Sequence, residues 1–274
     1  VEQIKQFYNC DADIVVTSGE DWITFTSTVP AGTKRIKEDG LLINGAKYTW
    51  VDHCEFYNEP IVKNPSDAEK NKYDELLSAK NDAEYIIVSW CYFHDSYKTI
   101  LVGSNDGADA LPDRKMILHN NWFKDCNSRL PLYRGGHGHI YNNYYENIQS
   151  TGINCRTGSK LLIENNYFKD SKDSIGFWYD EGGNAPGLWQ VSDNKYVGCT
   201  GNQPTVSTCT LKFEGSYTYP LDPVDNVPGN VQAGAGVGKN KQRLIDNKII
   251  TLFHHEEHED GERKDFRVFT VDHY

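Results

Sequence analysis

The chain lacks several features that would place it in common classes of protein. It has no run approaching the ~18 consecutive apolar residues of a membrane-spanning helix, so no membrane partner is expected. It has no basic excess, because 28 Lys and Arg stand against 39 Asp and Glu, a net charge of −11. Nucleic-acid-binding domains usually carry a basic surface, so no nucleic acid is expected as a partner. Aromatic residues reach 12%, which argues against a disordered chain.

Cysteine spacing excludes two further classes. Seven cysteines are present, but no two are spaced as Cys-x-x-Cys, which disfavours a zinc ribbon or a thioredoxin-type site. Cys199 and Cys209 bracket a polar loop and could form a small disulfide. The odd count leaves at least one thiol unpaired within a monomer.

What the sequence does contain is a short repeat. A polar pair followed by aromatic or β-branched residues recurs along the chain, and three times the pair is Asn-Asn, ending at Asn121, Asn143 and Asn166. These positions are 22 and 23 residues apart, a further copy follows 28 residues later at Asn194, and a weaker one lies at 244–249. A period near 22 is typical of a solenoid whose stacked coils carry loops of different lengths. Asn at one coil position suggests a hydrogen-bonded ladder between coils.

The repeat favours an all-β fold, a right-handed single-stranded parallel β-helix with an Asn ladder and long loops; a β-sandwich is the second choice. Cys54 and Cys91 fall at the ladder register, so they are expected to be stacked core thiols. Helices are expected to be scarce, and residues 66–80 are interpreted as a loop insertion with one or two helical turns. Residues 1–274 are expected to form one domain, of which 239–274 is a polar C-terminal extension.

The functional information is concentrated in one segment. Residues 129–134 have the pattern R-x-P-x-x-R, and residues 139–145 follow as H-x-Y-N-N-Y-Y. This combination resembles the signature of the pectate lyases of polysaccharide lyase family one. The resemblance covers about residues 40–238. Three further segments agree with the family in order and spacing: 50–53 (W-[IV]-D-H), 73–78 (Y-D-G-x-x-D) and 94–104 (H-D-x-x-K-x-x-L-x-G-S).

The resemblance implies a secreted enzyme that cleaves α-1,4-linked polygalacturonate by calcium-assisted β-elimination and gives 4,5-unsaturated oligogalacturonides. Its partner would be polygalacturonate or pectin, its cofactor Ca²⁺, and its state a monomer. The first residues lack the charged-then-apolar order of a signal peptide, so a secretion signal is expected to be absent from this chain.

Residue roles follow from the matching positions. The family pattern makes Arg129 the Brønsted base, Lys98 and Arg134 the groups that hold uronate carboxylates, and Asp52 and Asp74 the calcium ligands. The proton removed lies next to the uronate carboxylate, and charge develops on that carboxylate as the proton leaves. Cations placed beside it stabilise this charge. An arginine base must be neutral, and nearby cations favour that form, so activity is expected to rise toward alkaline pH.

Two departures from the pattern concern the metal site. Ser78 stands where an aspartate ligand is expected and Glu75 where glycine is expected, and both are further candidate ligands. Two alternatives stay open: a pectin lyase acting on methyl-esterified pectin without calcium, and a non-catalytic uronan-binding β-helix. The retained Arg129 argues against the second. A polygalacturonase-type hydrolase is a distant alternative, because its N-T-D and D-D motifs are absent.

Overall fold

The structure is a computed structural model of the 274-residue chain. It includes the short antiparallel pair formed by β1 (Ile14–Val15) and β2 (Thr24–Phe25). The predicted C-terminal extension lies outside the described residues, apart from Lys239. Besides β1 and β2, the described residues are 39–62, 65–179, 185–211, 219–237 and 239.

The main body consists of three parallel sheets of six strands each, and the chain passes from the first to the second to the third sheet in every coil. The first sheet contains β3 (Leu41–Asn44), β6 (Leu77–Lys80), β9 (Ile100–Val102), β12 (Leu132–Tyr133), β15 (Ile153–Cys155) and β18 (Ile175–Gly176). The second contains β4 (Lys47–Asp52), β7 (Glu84–Ser89), β10 (Lys115–His119), β13 (His137–Tyr141), β16 (Lys160–Glu164) and β19 (Leu188–Ser192). The third contains β5 (Glu55–Tyr57), β8 (Tyr92–Lys98), β11 (Trp122–Ser128), β14 (Tyr144–Glu146), β17 (Tyr167–Lys169) and β20 (Lys195–Val197). Six stacked coils of this kind form the predicted right-handed parallel β-helix.

The turn between the second and third sheets explains the Asn-Asn repeat. The second Asn of each pair faces into the coil stack, where Asn143 Nδ2 donates to Asn166 Oδ1 and Asn121 Nδ2 donates to Asn143 Oδ1, both at 3.0 Å. One residue thus shapes the turn and the next builds the ladder. The first Asn of each pair has a φ between 53° and 56°, a left-handed conformation that Asn tolerates better than most residues, as at Asn120, Asn142 and Asn165.

The cysteines at the ladder register behave as predicted. Cys54 and Cys91 are buried, and the backbone N–H of Cys91 donates to the side chain of Asn121 at 2.9 Å. The six described cysteines are all free, including Cys199 and Cys209. The small disulfide considered between those two is therefore not formed in the structure.

Aromatic rings stack along the inside of the third sheet, one in each coil. Their centroids are 4.4–5.3 Å apart with interplanar angles of at most 21°. Such pairs contribute about 0.5–1.5 kcal/mol each beyond area burial, so the stack fixes the alignment of successive coils. Its members are Phe56, Phe93, Phe123, Tyr145, Phe168 and Tyr196.

Helices are scarce in the described residues, as predicted. The insertion at 66–80 contains α1 (Asp67–Lys70), a single turn that begins at a capping box formed by Ser66 and Glu69. The end of this segment differs from the prediction, because Leu77–Lys80 forms β6 and pairs with strands on both sides. A second helix, α2 (Val227–Gly234), packs on the third sheet. In the described part of the chain, no helix is long and apolar enough to span a membrane.

Candidate active site

Three acidic side chains converge just before the first sheet, in the first two coils. Asp39 precedes β3, whereas Asp74 and Glu75 precede β6. The backbone N–H of Gly40 donates to the carbonyl of Glu75 at 2.8 Å, which brings the two segments side by side. One carboxylate oxygen from each acid lies within 4.8 Å of the others. We call Asp39, Asp74 and Glu75 the acidic trio.

Basic and hydroxyl groups surround the acidic trio. Asp39 accepts from the Ser78 hydroxyl at 2.8 Å and from the Lys80 ammonium at 2.6 Å. The Lys98 ammonium lies 3.4 Å from Asp74 Oδ1. These partners offset part of the repulsion between the three carboxylates.

Two acids of the trio, Glu75 and Asp74, have shifted pKa values. Burial and the hydrogen bond with Asp74 raise the pKa of Glu75 to about 7, while Arg129 acts in the opposite direction. Partial burial acts to raise the pKa of Asp74, but Glu75 and Lys98 outweigh it and lower that pKa overall. Neighbouring carboxyl groups shift each other's pKa in this way, so Glu75 is only partly ionised near neutral pH.

Arg129 lies beside the trio at the turn between β11 and β12. It has a φ of 64°, an unusual conformation for a residue with a side chain. Its carbonyl accepts from the backbone N–H of Ile100 at 2.7 Å, and its Nη1 donates to the carboxylate of Glu75. Lys98 pairs in register with Ser128, the residue before Arg129. Two cationic side chains therefore stand next to three acids.

Two further arginines follow strands of the first sheet. Arg134 comes directly after β12 and Arg156 directly after β15, and these strands pair with Tyr133 opposite Cys155. Both guanidinium groups bind the carboxylate of Asp106, Arg134 at 2.9 Å and Arg156 at 3.1 Å. Burial and the neighbouring charge of Arg156 lower the pKa of Arg134, while Asp106 opposes the shift.

A row of cations begins at the acidic trio and runs across successive coils on one side of the β-helix. We call its members, Lys98, Arg129, Arg134 and Arg156, the cationic row. A search against family models matches residues 21–240 to the family described as pectate lyase. The match covers most of the chain. This chain belongs to the pectate lyase family.

Individual relatives agree with the family. The chain is similar to a pectate trisaccharide-lyase from Bacillus licheniformis, with 46% identity over 203 residues, 74% of this chain and 56% of that protein. Among solved structures, it resembles a pectate lyase from Bacillus sp. N165 in complex with trigalacturonate, with a TM-score of 0.63, 33% identity, and 73% of this chain and 63% of that one covered. It also resembles pectate lyase C from Erwinia chrysanthemi solved with Ca²⁺, with a TM-score of 0.64, 28% identity, and 74% and 61% covered. The chain spans a little over half the length of the curated relative.

For this pectate lyase family member, the structure brings together five of the residues singled out from the sequence. They are Asp74, Glu75, Lys98, Arg129 and Arg134, which lie on or beside the first sheet. The hydroxyl of Ser78 donates to Asp39, so Ser78 orients a member of the acidic trio.

Asp52 is not brought into this cluster. It ends β4 in the second sheet, where its carboxylate accepts from the Ser89 hydroxyl and contacts His53 Nδ1, both at 2.5 Å. Trp50 Nε1 donates to the same Ser89 hydroxyl at 2.8 Å. Asp52 lies in the second sheet, whereas Asp74 precedes β6 of the first sheet, so the geometry does not support the predicted pairing of these two residues as ligands of one ion.

Sequence reasoning missed Asp39, Asp106 and Arg156. One signal for Asp39 was present, because it begins an Asp-x-Leu-Leu segment as Asp74 does one coil later. Arg156 follows a coil without a matching motif, and Asp106 belongs to a loop whose path depends on tertiary contacts. Neither residue had a local pattern that would have singled it out.

Proposed function

We propose that this chain is a pectate lyase that cleaves polygalacturonate by β-elimination, with Arg129 as the base. The observation that carries the proposal is the convergence of Arg129, Lys98 and the acidic trio at one place, with Arg134 at the other end of β12, the strand that follows Arg129. An anionic polymer needs a local cationic groove on a protein whose net charge is −11. The family membership and the trigalacturonate complex of the Bacillus sp. N165 relative support this substrate.

Each residue has a defined task in the proposed reaction. Neutral Arg129 removes the proton on carbon 5 of a uronate unit. The electrons of that C–H bond form the double bond between carbons 4 and 5, and the bond from carbon 4 to the glycosidic oxygen breaks. The leaving oxygen takes a proton from water. Lys98 and Arg134 hold uronate carboxylates, and Arg134 can do so with the two-pronged geometry of a guanidinium group.

The acidic trio fits a calcium ion. Ca²⁺ prefers several oxygen ligands, largely carboxylates, and the trio places three carboxylate oxygens within 4.8 Å of one another. We propose Asp39, Asp74 and Glu75 as the ligand set, in place of the set predicted from the sequence. A bound cation would stabilise the charge that develops on the substrate carboxylate.

Glu75 has two alternative partners in this scheme. Its carboxylate bonds to Arg129 in the structure, and a carboxylate favours the protonated guanidinium. The base role of Arg129 therefore requires Glu75 to turn toward the other members of the trio. Glu75 thus links the proposed cation site to the proposed base.

A pectin lyase is the second candidate, and the cationic row argues against it. Methyl esterification removes the negative charge that Lys98, Arg134 and Arg156 would bind, so these three cations favour an ionised polygalacturonate over its methyl ester. We further propose that the protein acts outside the cell and is a monomer.

One assay tests the function. The protein is incubated with polygalacturonate or methyl-esterified pectin, with Ca²⁺ or with a chelator, and ultraviolet absorbance follows the unsaturated product. We expect unsaturated product from polygalacturonate in the presence of Ca²⁺ and none in the presence of the chelator. Product that resists the chelator and is greater on esterified pectin would instead identify a pectin lyase, and no unsaturated product at all would refute both.

A further inference from the structure

Asp106 is the one carboxylate of the described residues that bridges two members of the cationic row. Its Oδ1 accepts from Nε of Arg134 at 2.9 Å, and its Oδ2 accepts from Nη2 of Arg156 at 3.1 Å. Its side chain is only 15% exposed. Neither the sequence motifs nor the proposed catalytic roles give this residue a task.

Asp106 is the carboxylate that both arginines share, although Nη1 of Arg134 also donates to the carbonyl of Gly103 at 2.8 Å. The two arginines follow paired strands of adjacent coils, which lie roughly 4.8 Å apart in a parallel sheet, and both carry a positive charge. Like charges at this distance repel, and the presence of Arg156 contributes to the lowered pKa of Arg134. A carboxylate between them offsets the repulsion and fixes one edge of each guanidinium group.

The loop that carries Asp106 is itself tightly held. Asn105 Oδ1 accepts from the backbone N–H groups of Gly107 at 2.9 Å and Asp109 at 3.3 Å, which shapes the turn around Asp106. Asp109 in turn accepts from Ser104 and from the buried guanidinium of Arg114. The position of the Asp106 carboxylate is therefore set by the protein before any ligand arrives.

The loop that carries Asp106 also packs tightly against the segment that follows Arg134. A Cβ atom at Gly135 would lie 2.3 Å from the backbone of Ala110, so the loop rests directly on the chain that follows Arg134. Gly135 also has a φ of 68°, where glycine is favoured. The loop and the Arg134 segment therefore form one rigid unit.

Arg156 retains an unused donor. Its Nε is buried and has no hydrogen-bond partner among the described residues, and its guanidinium lies 5.1 Å from the ring centroid of Tyr179. The Tyr179 hydroxyl is also buried without a described partner. Asp106 is thus the carboxylate that neutralises Arg156, whose other polar contacts among the described residues are few.

We propose that Asp106 is a positioning residue of this site: it holds Arg134 and Arg156 as an oriented pair for the carboxylates of neighbouring uronate units. The inference rests on the proposed function for its substrate class. Asp106 does not touch the substrate in this scheme but acts through the two arginines. Asp106 binds Arg134 and Arg156, the two groups that would hold the substrate, so its removal should weaken binding more than turnover.

The test compares Asp106→Ala and Asp106→Asn with Asp113→Ala, which removes a negative charge from an exposed position of the same loop. For Asp106→Ala we expect the KM for polygalacturonate to rise about tenfold while kcat falls by less than about threefold, and the Kd for tetragalacturonate, measured by calorimetry, to rise about tenfold. Asp106→Asn keeps the shape and one acceptor, so it should lie between Asp106→Ala and the wild type. Asp113→Ala should match the wild type.

Three results for Asp106→Ala would overturn the proposal. The first is a KM and a Kd that match those of Asp113→Ala, and the second is tighter binding of tetragalacturonate than in the wild type. The third is a loss confined to kcat and the thermal midpoint, which a purely structural role would give. If Asp106→Ala does not fold, Asp106→Asn decides, because an unchanged Kd in that variant contradicts the proposal. A wild-type protein without unsaturated product refutes the proposed function separately, and the calorimetric comparison still decides the role of Asp106.

Discussion

Nη1 of Arg129 donates a hydrogen bond to the carboxylate of Glu75, joining the proposed base to the proposed cation site. The two residues come from different coils, and Glu75 is almost completely buried. The contact makes the state of Arg129 depend on what else Glu75 binds. It also gives a physical role to a glutamate that stands where the family pattern has glycine.

The first prediction concerns the acidic trio. Asp39→Asn and Glu75→Gln should each weaken Ca²⁺ binding by about tenfold or more, because each removes a carboxylate ligand from a site built from three. Calorimetry, or luminescence of bound Tb³⁺ displaced by Ca²⁺, measures the affinity. Asp52→Asn is the matched control and should leave the affinity unchanged, since Asp52 bonds to Ser89 in another sheet. Equal losses in all three variants would contradict the proposed ligand set.

The second prediction concerns the Asn ladder. Asn143→Ala should lower the free energy of unfolding by about 3 kcal/mol, because it leaves buried partners in two neighbouring coils unsatisfied. Asn143 is fully buried and exchanges hydrogen bonds with Asn121 and Asn166. Asn194→Ala, in the last coil and only partly buried, should cost less. Denaturant unfolding measures the loss of stability in both variants. An equal loss would show that the contribution of a ladder residue does not depend on its burial.

The third prediction concerns a buried pair on the outer face of the second sheet. His139 Nε2 lies 2.9 Å from Glu164 Oε1, and Tyr219 and Tyr141 pack against the imidazole. Burial lowers the pKa of His139, although Glu164 opposes this shift. Burial acts to raise the pKa of Glu164, but hydrogen bonds from His139 and Tyr219 lower it overall.

Both shifts have the same consequence for stability. Each folded pKa lies below its unfolded value, about 6.5 for His and 4.3 for Glu, so the unfolded state binds more protons as the pH falls. This contribution is present above about pH 6.5 and is lost progressively below it. The temperature of the unfolding midpoint should therefore decrease as the pH is lowered from 7 to 4. The fall should be smaller in His139→Gln, and an unchanged slope in that variant would assign the pH dependence to other groups.

The fold could be predicted because its determinants are local and repeated. Asn142 forms the turn and Asn143 the ladder within two adjacent residues, and the same Asn-Asn pair recurs in three successive coils. Period and residue type together were enough to predict a β-helix. Strand β6 was missed because the buried positions of Leu77 and Ala79 depend on strands from the coils on either side.

The candidate site could be predicted only in part. Arg129 and Arg134 come from one motif, so they could be found together in the sequence. The acidic trio combines residues from two coils, and its third member, Asp39, approaches only because Gly40 bonds to Glu75. Asp52 lies away from the trio, which its motif could not reveal, because a motif shows order along the chain but does not show which of three faces a residue occupies. The position of Asp106 depends on a loop fixed by Asn105 and Asp109.

The most direct test of the account is the rate of unsaturated product formation by Arg129→Lys on polygalacturonate with saturating Ca²⁺. Lysine keeps the positive charge but lacks the guanidinium, so loss of activity would reflect the base and not the local field. Lys115→Ala, an exposed change on the second sheet, is the control for handling and folding. The account predicts product from the wild type and from Lys115→Ala, and a fall of at least about 100-fold in kcat for Arg129→Lys. Wild-type activity in Arg129→Lys would contradict the central claim.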